Sequence, residues 1–414
     1  MKILVNTFGT GGDVTPFLVI AREMRAMGHD VTLALNPACE AQARATGARF
    51  VAVGPRWDID ETSNLDRYLD PNRGGIRIWK EICIPNIVPT YREVSGLLAR
   101  ERFDAVLAHF LCVGAQWAAQ AAKVPCAIAT LAPCWWFSRD LPAVFSPSVP
   151  PAWLHPHILW LPRRMFDWTI SRPLRPVCEE LGRPFRKDEY FRIFQEADLG
   201  LAMWSPAFRP AVGDDPRGSV ICGFPTSTSE PEITLEPRIA AFLDAGPPPV
   251  VVGLGTSVRN LGEPILRNAA RACEELGRRA LLIGQELDGL PKGALSVRAA
   301  PFSAVFPRAE AILHHGGVGT TAEALRAGRP AIISPFTSDQ FDNALLCERA
   351  GVSRTLSRSK LVGRGLSKTL GEVLASGPMR ERAAEMSATL RAETPGAKVA
   401  VQAIEALVAR TPRG

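Results

Sequence analysis

The sequence predicts an α/β protein made of two doubly wound, Rossmann-like domains, and three observations predict it. Its 414 residues exceed the length at which one hydrophobic core stops growing. Short β-rich runs alternate with helical patterns, the order that gives a mostly parallel sheet covered on both faces. The alternation comes in two series, parted by the Ser-, Thr-, Pro- and Glu-rich stretch TSTSEPEITLEPRIAAFLDAGPPP.

In the first series KILVNTF reads as a strand. Thr15-Pro16 then reads as N-cap and first position of a helix that turns Phe17, Leu18, Ile20, Ala21 and Met24 to one side. DVTLALN, RFVAVG, DAVLAHF, CAIATL and LGLAMW supply further strands. Two Pro- and aromatic-rich stretches, 55–90 and 133–162, are too long for plain connections and are expected to be binding loops or small helices. The second series runs VVVGLGTS, a helix near 263–277, RALLIG, LSVRAAP, AEAILHH, a helix from about 320, and PAIISPF, with helical patterns from 359 onward. The expected division is a first domain over 1–225, a linker over 226–248 and a second domain over 249–394. A closing helix at about 395–414 is expected to pack back on the first domain.

With 46% hydrophobic and 22% charged residues, the composition is that of an ordinary globular protein. The net charge of +6 is spread along the chain without a block of like charges, so a nucleic-acid tail is excluded, while an anionic ligand or a membrane surface fits. Nine cysteines without C-x-x-C spacing argue against a metal cluster or a disulfide framework and for a reducing, cytoplasmic setting. MKILVNTFG is too short for a signal-peptide core, and no uncharged stretch reaches the roughly 18 residues of a membrane span.

The chemistry concentrates in AEAILHHGGVGTTAEALRAG, which reads strand, glycine loop, helix. The first N–H groups of a helix lack intrahelical partners, its dipole end is positive, and glycines let an anion reach the backbone. Phosphate is the natural guest, with His315 and Thr320 as added donors. Plain structure is the competing reading, because Thr320 and Glu323 also fit the capping box S/T-x-x-E.

The longer segment HHGGVGTTAEALRAGRPAIISPFTSDQFDNA resembles the donor signature of the GT-B glycosyltransferases that use nucleotide sugars. The resemblance implies two such domains facing a cleft, the first for the acceptor and the second for the donor. It implies that His315, Gly317, Gly319 and Thr320 meet the diphosphate, with Thr256 and Ser257 beside them. Glu323 would meet the ribose hydroxyls, and Asp339 and Gln340 the hydroxyls of the donor sugar; a carboxylate accepts well from two vicinal hydroxyls. Where plant members stack a Trp on uracil, this chain has Ala299. The base is then expected to be held by backbone groups and flanking side chains such as Arg298, and both UDP and dTDP stay open.

NTFGTGGDVTPF follows the first strand but lacks the third glycine of a dinucleotide fingerprint, and no acidic residue ends the second strand. In the resembled family this loop faces the cleft and its last polar residue deprotonates the acceptor. Here that residue is Asp13, next to Gly12, with helix capping as the alternative role. Where plant enzymes place an Asp to orient the base, DAVLAHF has His109, expected to be the partner that tunes Asp13. Asp58-Ile59-Asp60 matches the letters of a metal-binding D-x-D motif by chance, and His155 and His157 lack partners at ligand spacing. No metal and no cofactor is expected, the helix N-terminus and His315 neutralising the leaving diphosphate.

Acceptor choice is expected in the first-domain loops, where Trp57, Trp79, Trp135, Trp136, Phe137, Phe145, Trp153 and Trp160 gather, a wall suited to a flat aglycone or an acyl chain. IWKEICIPNIVPTYREV, APCWWFSRDLPAVFSP and SPFTSDQFDNA look like the bacterial branch that includes rhamnolipid rhamnosyltransferases. The expected activity is inverting transfer of a hexose or deoxyhexose, rhamnose included, from a UDP- or dTDP-sugar to a lipophilic hydroxyl. Alternatives are a sterol or macrolide glucosyltransferase of the same fold and a non-catalytic partner protein. Expected partners are the nucleotide sugar and a lipophilic small molecule, with no nucleic acid. The chain is expected to be a monomer or homodimer, with peripheral attachment at the inner membrane face.

Overall fold

The computed structural model describes residues 1–56, 67–145, 160–228, 234–255 and 262–411. β1 (Lys2–Thr7), β2 (Asp30–Leu35), β3 (Arg49–Ala52), β4 (Ala105–His109), β5 (Cys126–Thr130), β6 (Leu199–Ala202) and β7 (Val220–Ile221) form a seven-stranded parallel sheet in the order β3-β2-β1-β4-β5-β6-β7. β8 (Val250–Gly253), β9 (Ala280–Ile283), β10 (Ala294–Val297), β11 (Ala311–His314), β12 (Ala331–Ile333) and β13 (Ser353–Thr355) form a six-stranded parallel sheet in the order β10-β9-β8-β11-β12-β13. Both are α/β sheets of the doubly wound kind, in which strands covered on both faces are apolar throughout.

The period of two sorts side chains to the two faces. Ile3, Val5, Leu33 and Leu107 enter one core with Phe17, Ile20 and Met24 of helix α1 (Gly11–Ala26). Leu4, Ala34 and Val106 enter another, which also takes Val251, Leu281 and Ile312 from the second sheet. α1 begins earlier than Thr15-Pro16 suggests: Thr10 is the N-cap and Pro16 lies within the helix. Proline lacks the N–H that would bond the Gly12 carbonyl, so α1 forgoes one intrahelical bond at its sixth residue.

Part of the stretch read as linker is folded. α2 (Pro237–Asp244) buries Ile239 and Leu243, and its Phe242 carbonyl accepts from Arg279. Upstream, Glu23 of α1 accepts from the hydroxyls of Ser227 and Thr228 and from the Thr228 N–H, tying the crossing chain to the first domain. α3 (Gly262–Glu275) covers β8 and β9, α4 (Val318–Ala327) follows β11, and α5 (Gln340–Arg349) follows β12. α6 (Gly396–Arg410) packs on α1, burying Ala397, Ala400, Val401, Ile404 and Leu407, with Glu405 bonded to His29 at 3.0 Å. All nine cysteines are free, and no described helix is long and apolar enough to cross a membrane.

Strand order reverses between β1 and β4 in one sheet and between β8 and β11 in the other. At such switch points the loops leaving the carboxyl ends of adjacent strands diverge and open a crevice for ligands. Asp13 stands in the first turn of α1, just past the loop that leaves β1, and His109 ends β4, while the loops after β8 and β11 carry Gly255 and His315. Asp342 of α5 accepts from the Val144 N–H at 3.0 Å, and a Cβ on Gly74 would stand 2.9 Å from Thr337 Oγ1, so the two halves touch beside the crevices.

Candidate functional site

Thr10 caps α1, and Asp13, three residues on, closes the reciprocal half of the box: its Oδ2 accepts from the Thr10 N–H at 2.8 Å and from Thr10 Oγ1 at 3.0 Å. Oδ1 takes no part in these two bonds. Gly9 makes the arrangement possible, since it has φ +135° and a Cβ there would stand 2.3 Å from Oδ2. Asp13 is half-exposed at the cleft, and burial raises its pKa to about 6 against the lowering effect of the Thr10 bonds.

His109 is fully buried, edge-on to Phe17 at 5.4 Å and Phe110 at 4.7 Å between ring centroids. Burial pushes its pKa down to about 3, and the polar group that supports its protonated form is the Phe8 backbone. The expected pairing with Asp13 is therefore replaced: Asp13 bonds Thr10, and His109 is a neutral ring under the loop that carries Asp13.

In the other half, α4 starts at Val318 with Gly317 as N-cap. Thr320 and Glu323 thus lie inside the helix rather than forming its capping box, on one face and partly exposed. The N–H groups of Val318, Gly319 and Thr320 have no intrahelical acceptor available to them. Among the described residues, no heavy atom outside its own helix turn lies within 4 Å of where a Gly319 Cβ would be. His315 is wedged between Gly255 and Gly317; a Cβ on either would come within 2.5 Å of its ring. Burial lowers its pKa to about 4, so at neutral pH it offers an N–H rather than the positive charge expected of it.

Asp339 stands at the start of α5. Its Oδ2 accepts from Asn343 Nδ2 at 2.9 Å, and the same amide donates to the Gly316 carbonyl at 2.9 Å. Burial first, and then the charge of Asp13 from the opposite domain, raise the Asp339 pKa to about 7. Residues far apart in sequence thus meet as one electrostatic unit across the cleft. Gln340 Oε1 is occupied by the backbone N–H groups of Phe336 and Thr337 at 2.8 and 3.3 Å, so only its amide NH2 remains for a ligand.

The aromatic residues divide. Trp136 is core, 7% exposed, its indole N–H donating to Thr130 Oγ1 and its ring against Trp204 at 4.7 Å. Trp79 is buried edge-on to Tyr190. Trp135 and Phe137 are partly buried and extend into a cluster with Phe110, Phe145 and Phe166. Gly12 lies exposed in the first turn of α1, and Arg298 and Ala299 lie exposed just past β10. Thr256, Ser257, Trp57, Asp58, Asp60, Trp153, His155 and His157 fall outside the described residues, as does the side chain of Trp160.

Sequence reasoning missed Asn343, although Asp339 and Asn343 at i, i+4 share a helix face. His314, the last residue of β11, was given no role either. His314 Nδ1 accepts from the Gly316 N–H at 3.1 Å and so shapes the loop itself.

Residues 3–129 match the glycosyltransferase family 28 N-terminal domain, and residues 282–407 match the erythromycin biosynthesis protein CIII-like C-terminal domain. The chain is 27% identical to the O-mycaminosyltylonolide 6-deoxyallosyltransferase of Streptomyces fradiae over 95% of this chain and 94% of that protein. It is 26% identical to a sterol 3-beta-glucosyltransferase of Arabidopsis thaliana over 82% of this chain and 57% of that protein. Among solved structures, the glycosyltransferase of kitacinnamycin superposes with a TM-score of 0.75 at 19% identity, covering 98% of this chain and 99% of that one. The spinosyn rhamnosyltransferase complexed with thymidine diphosphate gives 0.66 at 19% identity, covering 97% and 99%.

Proposed function

The chain belongs to the GT-B glycosyltransferases, and on that premise we propose that it moves a hexose or deoxyhexose from a UDP- or dTDP-sugar to a hydroxyl of a lipophilic acceptor, with inversion and without a metal. Asp13 takes the proton from the acceptor hydroxyl. The alkoxide oxygen forms a bond to the anomeric carbon as the bond from that carbon to the phosphate oxygen breaks, and the nucleoside diphosphate leaves with the electron pair. The N–H groups that open α4 and the His315 ring stabilise the charge on the leaving group. Asp339 and the Gln340 amide hold sugar hydroxyls, Glu323 holds the ribose, and Arg298 and Ala299 flank the base.

The observation that carries this reading is the approach of Asp13 to Asp339, close enough for one charge to raise the other's pKa. A base from one domain and a sugar-holding carboxylate from the other then bracket one reaction centre. The acceptor classes named for the relatives, a tylonolide glycoside and a sterol, favour a large polycyclic or macrocyclic alcohol, and the partly buried Trp135 and Phe137 suit such a body. The thymidine diphosphate bound by the spinosyn enzyme favours dTDP and is consistent with rhamnose.

Attachment to an anionic bilayer is part of the same reading. Arg163, Arg164, Arg172 and Lys187, with Asp167 and Asp188 as the only acids among the described lining residues, surround Met165 and Trp168, which are 46% and 65% exposed. That surplus of positive charge disfavours a second copy of itself and favours anionic lipid.

Thermal unfolding with dTDP-, UDP- and GDP-sugars tests the donor assignment. A ligand at 100 times its Kd stabilises the protein by about 2.7 kcal/mol. Stabilisation by dTDP- or UDP-sugars and not by GDP-sugars is the expected result, and no shift with any of them overturns the reading.

A further inference from the structure

Gly316 is held through both of its backbone polar groups, which belong to the two peptide units that flank its Cα. Its N–H donates to His314 Nδ1 at 3.1 Å, and its carbonyl accepts from Asn343 Nδ2, which also donates to Asp339. The residue cannot shift freely, because Gly316 has φ +88° and a Cβ would stand 2.9 Å from Ile333 Cγ2. A neutral imidazole whose Nδ1 accepts must carry its proton on Nε2. Nε2 of His314 is buried and has no protein acceptor among the described residues.

Two further buried groups share that condition at the same place. Thr321 Oγ1 on α4 and Ser353 Oγ on β13 are fully buried and without a protein partner among the described residues. These three residues line a single small cavity behind the glycine loop, closed by Leu325, Ile333 and Cys347, with a volume of about 10 Å³. That is room for one water and no more, and a buried water needs two to four polar partners. The other polar lining residue, Arg329, turns its guanidinium to the Pro307 carbonyl.

We propose that this cavity is the site of one structural water bonded to His314 Nε2, Thr321 Oγ1 and Ser353 Oγ, and that through it His314 is a positioning residue for the donor site. The water accepts from Nε2–H and donates to the two hydroxyl oxygens. It fixes the imidazole, the imidazole fixes the Gly316 N–H, and the Gly316 carbonyl fixes Asn343 against Asp339. The loop that receives the diphosphate and the carboxylate that receives the sugar are thereby set by one relay. Burial, which drives the His314 pKa down to about 3, keeps the ring neutral and the relay intact across the working pH range. The positioning role rests on the proposed donor reading, while the water site and the tautomer stand apart from it.

Two readouts judge the site without any donor. A crystal structure of the full chain at about 1.8 Å is expected to show one ordered water within hydrogen-bond reach of all three atoms; a dry cavity overturns the proposal. Ring-nitrogen NMR is expected to show His314 as the Nε2–H tautomer, without titration between pH 5 and 8; an Nδ1–H tautomer or a mid-range titration overturns it. The role is read with thymidine diphosphate as the probe. His314→Leu is expected to raise its Ki and the donor KM about tenfold with kcat changed less than twofold. His314→Asn, whose Oδ1 can still accept from Gly316, is expected to recover most of that loss; equal losses in both variants overturn the positioning role. Should His314→Leu fail to fold, the near-isosteric Thr321→Val replaces it, with Ki expected to rise two- to fivefold and an unchanged Ki overturning the role. If thymidine diphosphate does not bind the unaltered chain, the donor reading fails, and the water and tautomer are still decided by the first two measurements.

Discussion

At the scale of single residues, one buried carboxyl, Asp342, and two partly buried ones, Asp13 and Asp339, are held away from their ordinary pKa. Asp13, Asp339 and Asp342 all have pKa values raised by burial, to about 6, 7 and 7. A carboxyl whose folded pKa exceeds its unfolded value loses stability as pH rises from the unfolded to the folded pKa. For Asp342, which is 6% exposed, that window runs from 3.8 to about 7. Asp342→Asn keeps an acceptor for the Val144 N–H and removes the cost of ionisation. The variant is expected to be more stable than the parent by on the order of 2–4 kcal/mol above pH 7, with the gain shrinking to nothing below about pH 4. Urea unfolding across that range measures it. Asp13, His315 and Asp339 could be singled out in the sequence because each sits in a run whose residue types and spacing are tied to a chemistry, and the structure sets all three beside the crevices. Asn343 and His314 were not, because their work is to hold neighbouring backbone and side chains, and a hydrogen bond from Asn343 to Gly316 leaves no mark in composition or periodicity.

At the scale of elements, the strand–loop–helix junctions carry the site. Their strands were readable from apolar runs, and the helices after them from their periodicity. Their starts were not: Pro16 signals a first helical position, whereas the capping box of Thr10 with Asp13 begins α1 earlier, and Gly317 rather than Thr320 caps α4. Both errors have one cause, since glycines with few side-chain cues leave the first turn to be fixed by bonds that only the fold brings together. Part of the linker became α2 because Ile239 and Leu243 found a core to enter. The glycines themselves give a test. Gly319→Ala meets nothing among the described residues and is expected to leave stability unchanged or raise it by up to about 1 kcal/mol. In the proposed function the same methyl group stands where the diphosphate would approach, so affinity for thymidine diphosphate is expected to fall at least tenfold. Gly317→Ala puts a Cβ 2.5 Å from His315 Nε2 and is expected to lose both affinity and stability. Calorimetric titration and thermal unfolding separate the two variants.

At the scale of the whole molecule, two doubly wound sheets present their switch points to one cleft, and α6 returns from the second series to pack on α1. The two-sheet plan was legible because βαβ alternation constrains topology strongly. The division of the aromatic residues was not: Trp136 joins the core because Thr130 satisfies its N–H and Trp204 covers its face, which only the assembled fold can specify. The basic surface around Trp168 gives a prediction at this scale. Vesicles with anionic lipid are expected to carry the protein in flotation and neutral vesicles are not, with Trp168→Ala and Arg164→Glu together abolishing the difference. Equal binding to both vesicles, or to neither, contradicts bilayer attachment.

The assignment of Asp13 as base is tested most directly by transfer kinetics as a function of pH, with any alcohol the protein glycosylates. The protonated carboxyl cannot take a proton, so kcat/KM is expected to fall tenfold per pH unit below about 6. Asp13→Asn is expected to lower kcat by about 10²–10⁴ and to leave donor affinity within twofold. Transfer by Asp13→Asn at the parent's rate, with the acid limb still in place, would contradict the mechanism.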